Sequence, residues 1–176
     1  DQAWNDQFRM IAPGNSALPQ DVLNTEFSTK SEMNVSIRML NGKVKLVVLV
    51  DIGYPADCHL LRAIKRIATN HPASDIGGIL LLVNRKFLSI DDYDYEGAIK
   101  TKAKIQALLS DLSSRFQSGT MSRKQWTRLS DVTSRHVPQV IILSSDNKVI
   151  ARLQEAGDEE DAEKTLEDLV KSALSG

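Results

Sequence analysis

The chain carries one cysteine in 176 residues, Cys58. A disulfide within the chain, a C-x-x-C pair and a cysteine-built metal cluster are therefore excluded. Histidine is scarce too. His59, His71 and His136 are scattered, with no H-x-x-x-H spacing to set two on one helix face, so no protein-built zinc site and no metal or cofactor is expected. Charge of one sign is also missing: 22 Lys and Arg stand against 23 Asp and Glu, for a formal net charge of -1. That balance gives no electrostatic reason to expect nucleic acid as a partner. Long apolar runs are absent. The longest, residues 46–50 and 79–83, fall far short of the roughly 20 residues a membrane-spanning helix needs.

What is present suits one α/β domain with an appended arm. Hydrophobic content of 41% and charged content of 26% are ordinary for a globular chain able to bury a real core. The sequence begins at Asp1, which reads as the mark of a removed upstream stretch, and no signal peptide is legible in these residues. The first 30 residues read as an arm, with Trp4, Phe8 and Ile11 on one face of a short helix that "APGNSALPQ" breaks.

"VSIRML-NG-KVKLVVLV" predicts a hairpin, since Asn41-Gly42 is a pair that tolerates positive φ between strands. Its second half, nearly continuous Leu and Val, predicts a strand covered on both faces. Leu60, Ile64, Ile67 and Ala68 recur at helical spacing and predict a helix over 56–69, with Pro55 in its first turn. "IGGILLLVN" predicts a second buried strand. Ile105, Leu108, Leu109, Leu112 and Phe116 predict a helix over 95–116. The polar stretch 117–135 reads as irregular, with a helical turn around Trp126. "VPQVIILSS-DN-KVIARLQ" predicts a hairpin turning at Asp146-Asn147, and the acidic tail predicts a helix buried along Leu166, Leu169, Val170 and Ala173.

The order strand, helix, strand, helix, hairpin, helix implies a mixed sheet with helices on both faces. With "GYPADCH" after the first buried strand and "HVPQ" before the final hairpin, it resembles the thioredoxin superfamily, in particular its TlpA and ResA branch, over residues 35–174. The resemblance implies an N-terminal arm over 1–33 and a thioredoxin-like domain over 34–176, with a helical insertion at about 91–134. It places Tyr54 at the aromatic position before the helix, Pro55 at the first cysteine of C-x-x-C, and Cys58 at the second. Pro138 takes the place of the family's cis-proline, with Val137 before it. "YPAD" is also similar to the Y-P-x-D of peroxiredoxins, and in that register His59 replaces the threonine and Arg62 the peroxidatic cysteine.

Both alignments imply a scaffold without its nucleophile. Dithiol–disulfide exchange needs an exposed thiolate at the helix N-terminus and a second thiol to resolve the mixed disulfide. The resemblance therefore implies a protein- or peptide-binding accessory or chaperone-like factor, in a periplasmic or secreted setting. The alternative is a monothiol oxidoreductase or thiol-dependent peroxidase acting through Cys58. Cys58 as a small buried apolar side chain also remains open, as does Pro138 as a plain strand-start proline. Asp57, Cys58 and His59 do not form a triad, because neighbours at a helix start point in different directions. Asp91, Asp92, Asp94 and Glu96 fit no EF-hand spacing and read as a solvated cluster at a helix start. Arg123, Lys124, Trp126 and Arg128 form a small basic-aromatic patch, read as a solvated loop anchored by its Trp.

Overall fold

A computed structural model of the chain describes residues 17–29, 33–51, 55–83, 95–133, 135, 137–154 and 159–175. Among these residues six strands form one sheet: β1 (Ser28–Thr29), β2 (Val44–Val50), β3 (Ile76–Leu82), β4 (Gln117–Thr120), β5 (Gln139–Ser144) and β6 (Val149–Gln154), in the order β1-β4-β3-β2-β5-β6. β2 runs parallel to β3, and β3 to β4, while β5 is antiparallel to both β2 and β6. The helices are α1 (Gln20–Asn24), α2 (Pro55–Asn70), α3 (Tyr95–Leu112), α4 (Arg123–Val132) and α5 (Glu159–Ser175). The architecture is mixed α/β, as the sequence order implies.

β2 lies in the middle, and all seven of its residues are buried. With side chains alternating between two covered faces, the run 46–50 is apolar throughout and Lys45 is the one charged residue in the strand. Val44, Leu46, Val48 and Val50 face one cluster with Leu60, Ile64 and Ile67 of α2, Leu108 and Leu112 of α3, and Leu166 and Val170 of α5. Val47 and Leu49 face a second cluster with Val22, Leu23 and Phe27 of the N-terminal segment and Trp126 and Leu129 of α4. The segment carrying α1 is thus packed into the core beneath the sheet. It is clasped to α4 by Arg128, whose Nε and Nη2 donate to the two carboxylate oxygens of Asp21 at 2.6 and 3.0 Å. That guanidinium holds the Asp21 carboxyl below the usual carboxylate range.

The hairpin expected around Asn41-Gly42 does not form. Both edges of β2 are occupied by β3 and β5, so residues 35–40 have no edge to join. Val35 makes only an isolated bridge to Phe27, and Ile37–Met39 is a 3-10 turn. Gly42 does adopt positive φ, at 122°, but it serves a close approach to β3 rather than a hairpin. The second expected hairpin forms as read, with β5 and β6 antiparallel and Asn147 at φ 66° in the turn.

Two further expectations are corrected. α3 ends at Leu112, four residues short, and a tight turn then delivers Phe116 into the core, where it is 1% exposed. Residues 117–132, expected to be irregular, are not. They form β4 and α4, and α4 starts at a reciprocal capping box in which Gln125 N–H donates to Ser122 Oγ at 3.2 Å and Ser122 N–H donates to Gln125 Oε1 at 2.9 Å. The basic-aromatic patch therefore lies on a helix, with Trp126 buried.

Arg115 ties the turn after α3 to the end of α2. Its guanidinium donates to the carbonyls of Ala68, His71 and Ile76 at 2.5, 2.6 and 3.3 Å, and it sits over the Phe116 ring. These carbonyls belong to the end of α2 and the start of β3, which would otherwise be short of donors. Arg115→Met is expected to destabilise the fold by about 2–4 kcal/mol, since three charge-assisted hydrogen bonds vanish and their acceptors stay partly buried. Urea unfolding measures this, and a loss under about 0.5 kcal/mol, the size of an ordinary surface change, refutes it.

Candidate functional site

The site is built where β2 ends and α2 begins. Pro55 fixes φ near the helical value and has no N–H to lose, so it suits the first helical position. α2 accordingly opens at Pro55 and carries Cys58 within its first turn. Across from it, the antiparallel register of β2 and β5 ends at the pair Leu49 and Gln139. Val50 and Pro138 are the next residues beyond that pair, so the end of β2 and the Val137–Pro138 loop lie at the same end of the sheet. Residues nearly ninety positions apart in sequence are thereby brought to one end of the sheet. The Val137–Pro138 peptide bond is cis. Pro138 is buried, and Val137 is half-buried against the second core cluster.

Two buried polar residues at this end were not picked out from the sequence. Asp51 closes the apolar run of β2 and is 3% exposed, and Gln139 opens β5 and is fully buried. The signal available was a lone acid, and a lone amide, at the boundary of a hydrophobic strand. His59, on the first turns of α2, is half-buried, and its Nδ1 is shielded from solvent. Tyr54, His136 and the carboxylates Asp91, Asp92 and Asp94 lie outside the described residues, as do the side chains of Pro55, Asp57, Cys58 and Glu96. Among the described residues no group of three or more His, Cys, Asp or Glu could hold a metal ion. No described helix is long and apolar enough to cross a membrane.

No protein-family model matches the sequence, and comparison with curated proteins finds no match. Solved structures do match. A secreted disulfide oxidoreductase of Mycobacterium tuberculosis, homologous to E. coli DsbE, superposes with a TM-score of 0.61 at 12% identity, covering 88% of this chain and 99% of that one. The fold is thioredoxin-like. The thioredoxin domain of a thiol-disulfide oxidoreductase from Bacteroides vulgatus matches equally well, at TM-score 0.61, 14% identity and 91% and 99% coverage. A thiol-disulfide isomerase from Corynebacterium glutamicum gives 0.59 at 17% identity, covering 92% and 97%. Within the thioredoxin-like frame, the core is the β2-α2-β3 unit joined to the β5-β6 hairpin and α5. β4 and the short β1 extend the sheet beyond β3.

Proposed function

We propose that this thioredoxin-like protein does not carry out dithiol–disulfide exchange and works by binding an extended protein or peptide segment at the end of the sheet formed by α2 and the Val137–Pro138 loop. One observation carries the reading. The stretch Tyr54-Pro55-Ala56-Asp57-Cys58 holds the only thiol of the chain, at the position of a resolving cysteine, and the attacking position is a proline. Attack on a disulfide by one thiol leaves a mixed disulfide that nothing in the same chain can release. Binding needs no second thiol. The backbone at Val137 and its neighbours offers pairing groups to an extended segment, in the manner of strand addition. A role as accessory or chaperone-like factor in a periplasmic or secreted compartment follows from the same reading, supported by a fold shared with a secreted oxidoreductase.

The test is insulin reduction with dithiothreitol, run beside a dithiol oxidoreductase. The expected result is a rate equal to the protein-free background, unchanged by Cys58→Ser. Robust turnover that disappears in the Cys58→Ser variant would overturn the proposal and establish chemistry through the single thiol.

A further inference from the structure

At the opposite end of β2, some 15–20 Å from the α2 start by strand rise, a second polar cluster serves neither the core nor the site above. Lys45 sits on the central strand with only 5% of its surface exposed. Its ammonium donates to Asn147 Oδ1 at 2.8 Å, across the β5–β6 turn. Arg38, exposed on the 3-10 turn, donates through Nε to Asn24 Oδ1 at 2.6 Å and through Nη2 to Gln20 Oε1, both on α1. The antiparallel bridge between Ala17 and Lys148 brings the start of the α1 segment against the β5–β6 turn, and Arg38 lies near enough for its charge to act on the Lys45 ammonium.

Their partners are unusual for buried or clustered cations. Among the described residues every hydrogen bond made by Lys45 and Arg38 ends on a neutral amide oxygen, and neither makes an ion pair. Lys45 uses one of its three N–H donors. Asp146, the nearby acid, is already engaged by the Ser144 hydroxyl and by the Lys148 ammonium at 3.6 Å. Burial and the neighbouring Arg38 charge push the Lys45 ammonium below the usual lysine range, and Asp146 only partly opposes them. Two neighbouring positive charges, one of them on a largely buried side chain, repel each other, and an anion placed between them relieves that repulsion. Amide side chains position cations without neutralising them.

We infer that Arg38, Lys45 and the Asn147 turn form a binding site for a phosphate-type oxyanion. A dianion matches the two positive charges, which Asp146 offsets only in part, and its several acceptor oxygens match the spare N–H groups of an ammonium and a guanidinium. The site is separate from the proposed peptide-binding end, and it stands or falls without it.

Inorganic phosphate is the probe, titrated into the full chain by calorimetry at constant ionic strength, with acetate as a monoanion comparator. The expected result is saturable binding of one phosphate per chain, with acetate at least about tenfold weaker. Lys45→Met keeps the aliphatic stem, and Arg38→Gln alters only an exposed side chain. Each is expected to weaken binding by at least about tenfold, the scale of one lost charge-assisted hydrogen bond. Lys124→Gln, on the exposed face of α4, is expected to leave binding unchanged. No saturable uptake, equal affinity for acetate, or full affinity in the folded Arg38→Gln variant would each overturn the site.

Discussion

Pro55→Cys is expected to give the chain a dithiol–disulfide exchange activity that the native protein lacks. The variant would carry cysteines at 55 and 58, spaced i and i+3 on the first turn of α2. That spacing sets the two side chains on one helix face with their Cα atoms about 5–6 Å apart, a separation a disulfide can span. Little stability is at risk, because the backbone N–H regained at the first helical position has no intrahelical acceptor in any sequence. The new thiol would stand at the positive end of a 16-residue helix, where the thiolate is favoured. Lowering a thiol pKa from about 8.5 to about 7 raises the thiolate fraction at neutral pH from a few per cent to about half, roughly a fifteenfold gain in reactive species. The expected outcome is insulin reduction at least about tenfold above the native rate, abolished when Cys58→Ser is added. A native protein as active as the variant would contradict the premise. A variant that forms the 55–58 disulfide yet never turns over would show that the surrounding site has lost more than its nucleophile.

Gly77→Ala is expected to be the most damaging single methyl in the molecule. A Cβ at Gly77 would stand 1.7 Å from the carbonyl oxygen of Asn41 and 2.9 Å from its carbonyl carbon, so the obstruction is backbone and cannot rotate away. The facing residue is no freer: a Cβ at Gly42 would meet the Gly77 nitrogen at 2.6 Å. Relief requires the 41–42 segment to lift off β3, yet Val44 N–H must still reach the Asp75 carbonyl at 2.9 Å to start the β2–β3 ladder. A cost of at least about 4 kcal/mol is expected, at the severe end for point changes and a large fraction of a domain's stability. Gly119→Ala supplies the comparison. Its Cβ would meet Phe27 Cβ at 3.1 Å and Leu81 Cδ2 at 3.3 Å, contacts that a shift of a few tenths of an ångström relieves, and about 1–2 kcal/mol is expected. Equilibrium unfolding in urea ranks the pair, and equal losses would refute the backbone argument.

The contrast between these glycines shows what could be read from the chain and what could not. β2, α2 and the β5–β6 hairpin were legible because each is specified by its own residues: a two-sided apolar run, a helical stripe from Leu60 to Ile67, and a turn at Asp146-Asn147. Asn41-Gly42 carries an equally good hairpin signal and makes none, because a central strand whose two edges are filled by residues 76–82 and 139–144 leaves no partner position. Such competition is a property of the sheet, invisible in any local window. The pair Gly77-Gly78 was read simply as part of a strand, although glycine inside a strand marks a close backbone approach. At Gly78 the space of a side chain is taken by the Phe116 ring, 2.8 Å from where a Cβ would be. α4 was missed for another reason. Its signal was the pair Ser122 and Gln125, a capping box three residues apart, which outweighs a run of polar residues once it is recognised.

At the candidate site, the thiol-bearing turn and the Val137–Pro138 loop were both visible as short motifs, and the sheet register places them at the same end. Asp51 and Gln139 were not visible, because their importance lies in burial rather than in residue type. Arg38 and Lys45 escaped for the same reason, since surface cations are common and only the packing of α1 over β2 makes a cluster of them.

The central place of β2 also governs how the chain emerges from a ribosome. Val44–Val50 can pair with β3 as soon as residue 82 is made, but its other edge has to wait for Gln139–Ser144. Roughly sixty further residues must be translated, on the order of 3–12 s at ordinary synthesis rates. In a chain that folds as it is made, a seven-residue strand of valine, leucine and lysine presents a bare row of amides and carbonyls throughout that interval. Until β5 arrives, that open edge is the place where pairing with another chain would compete with the native sheet.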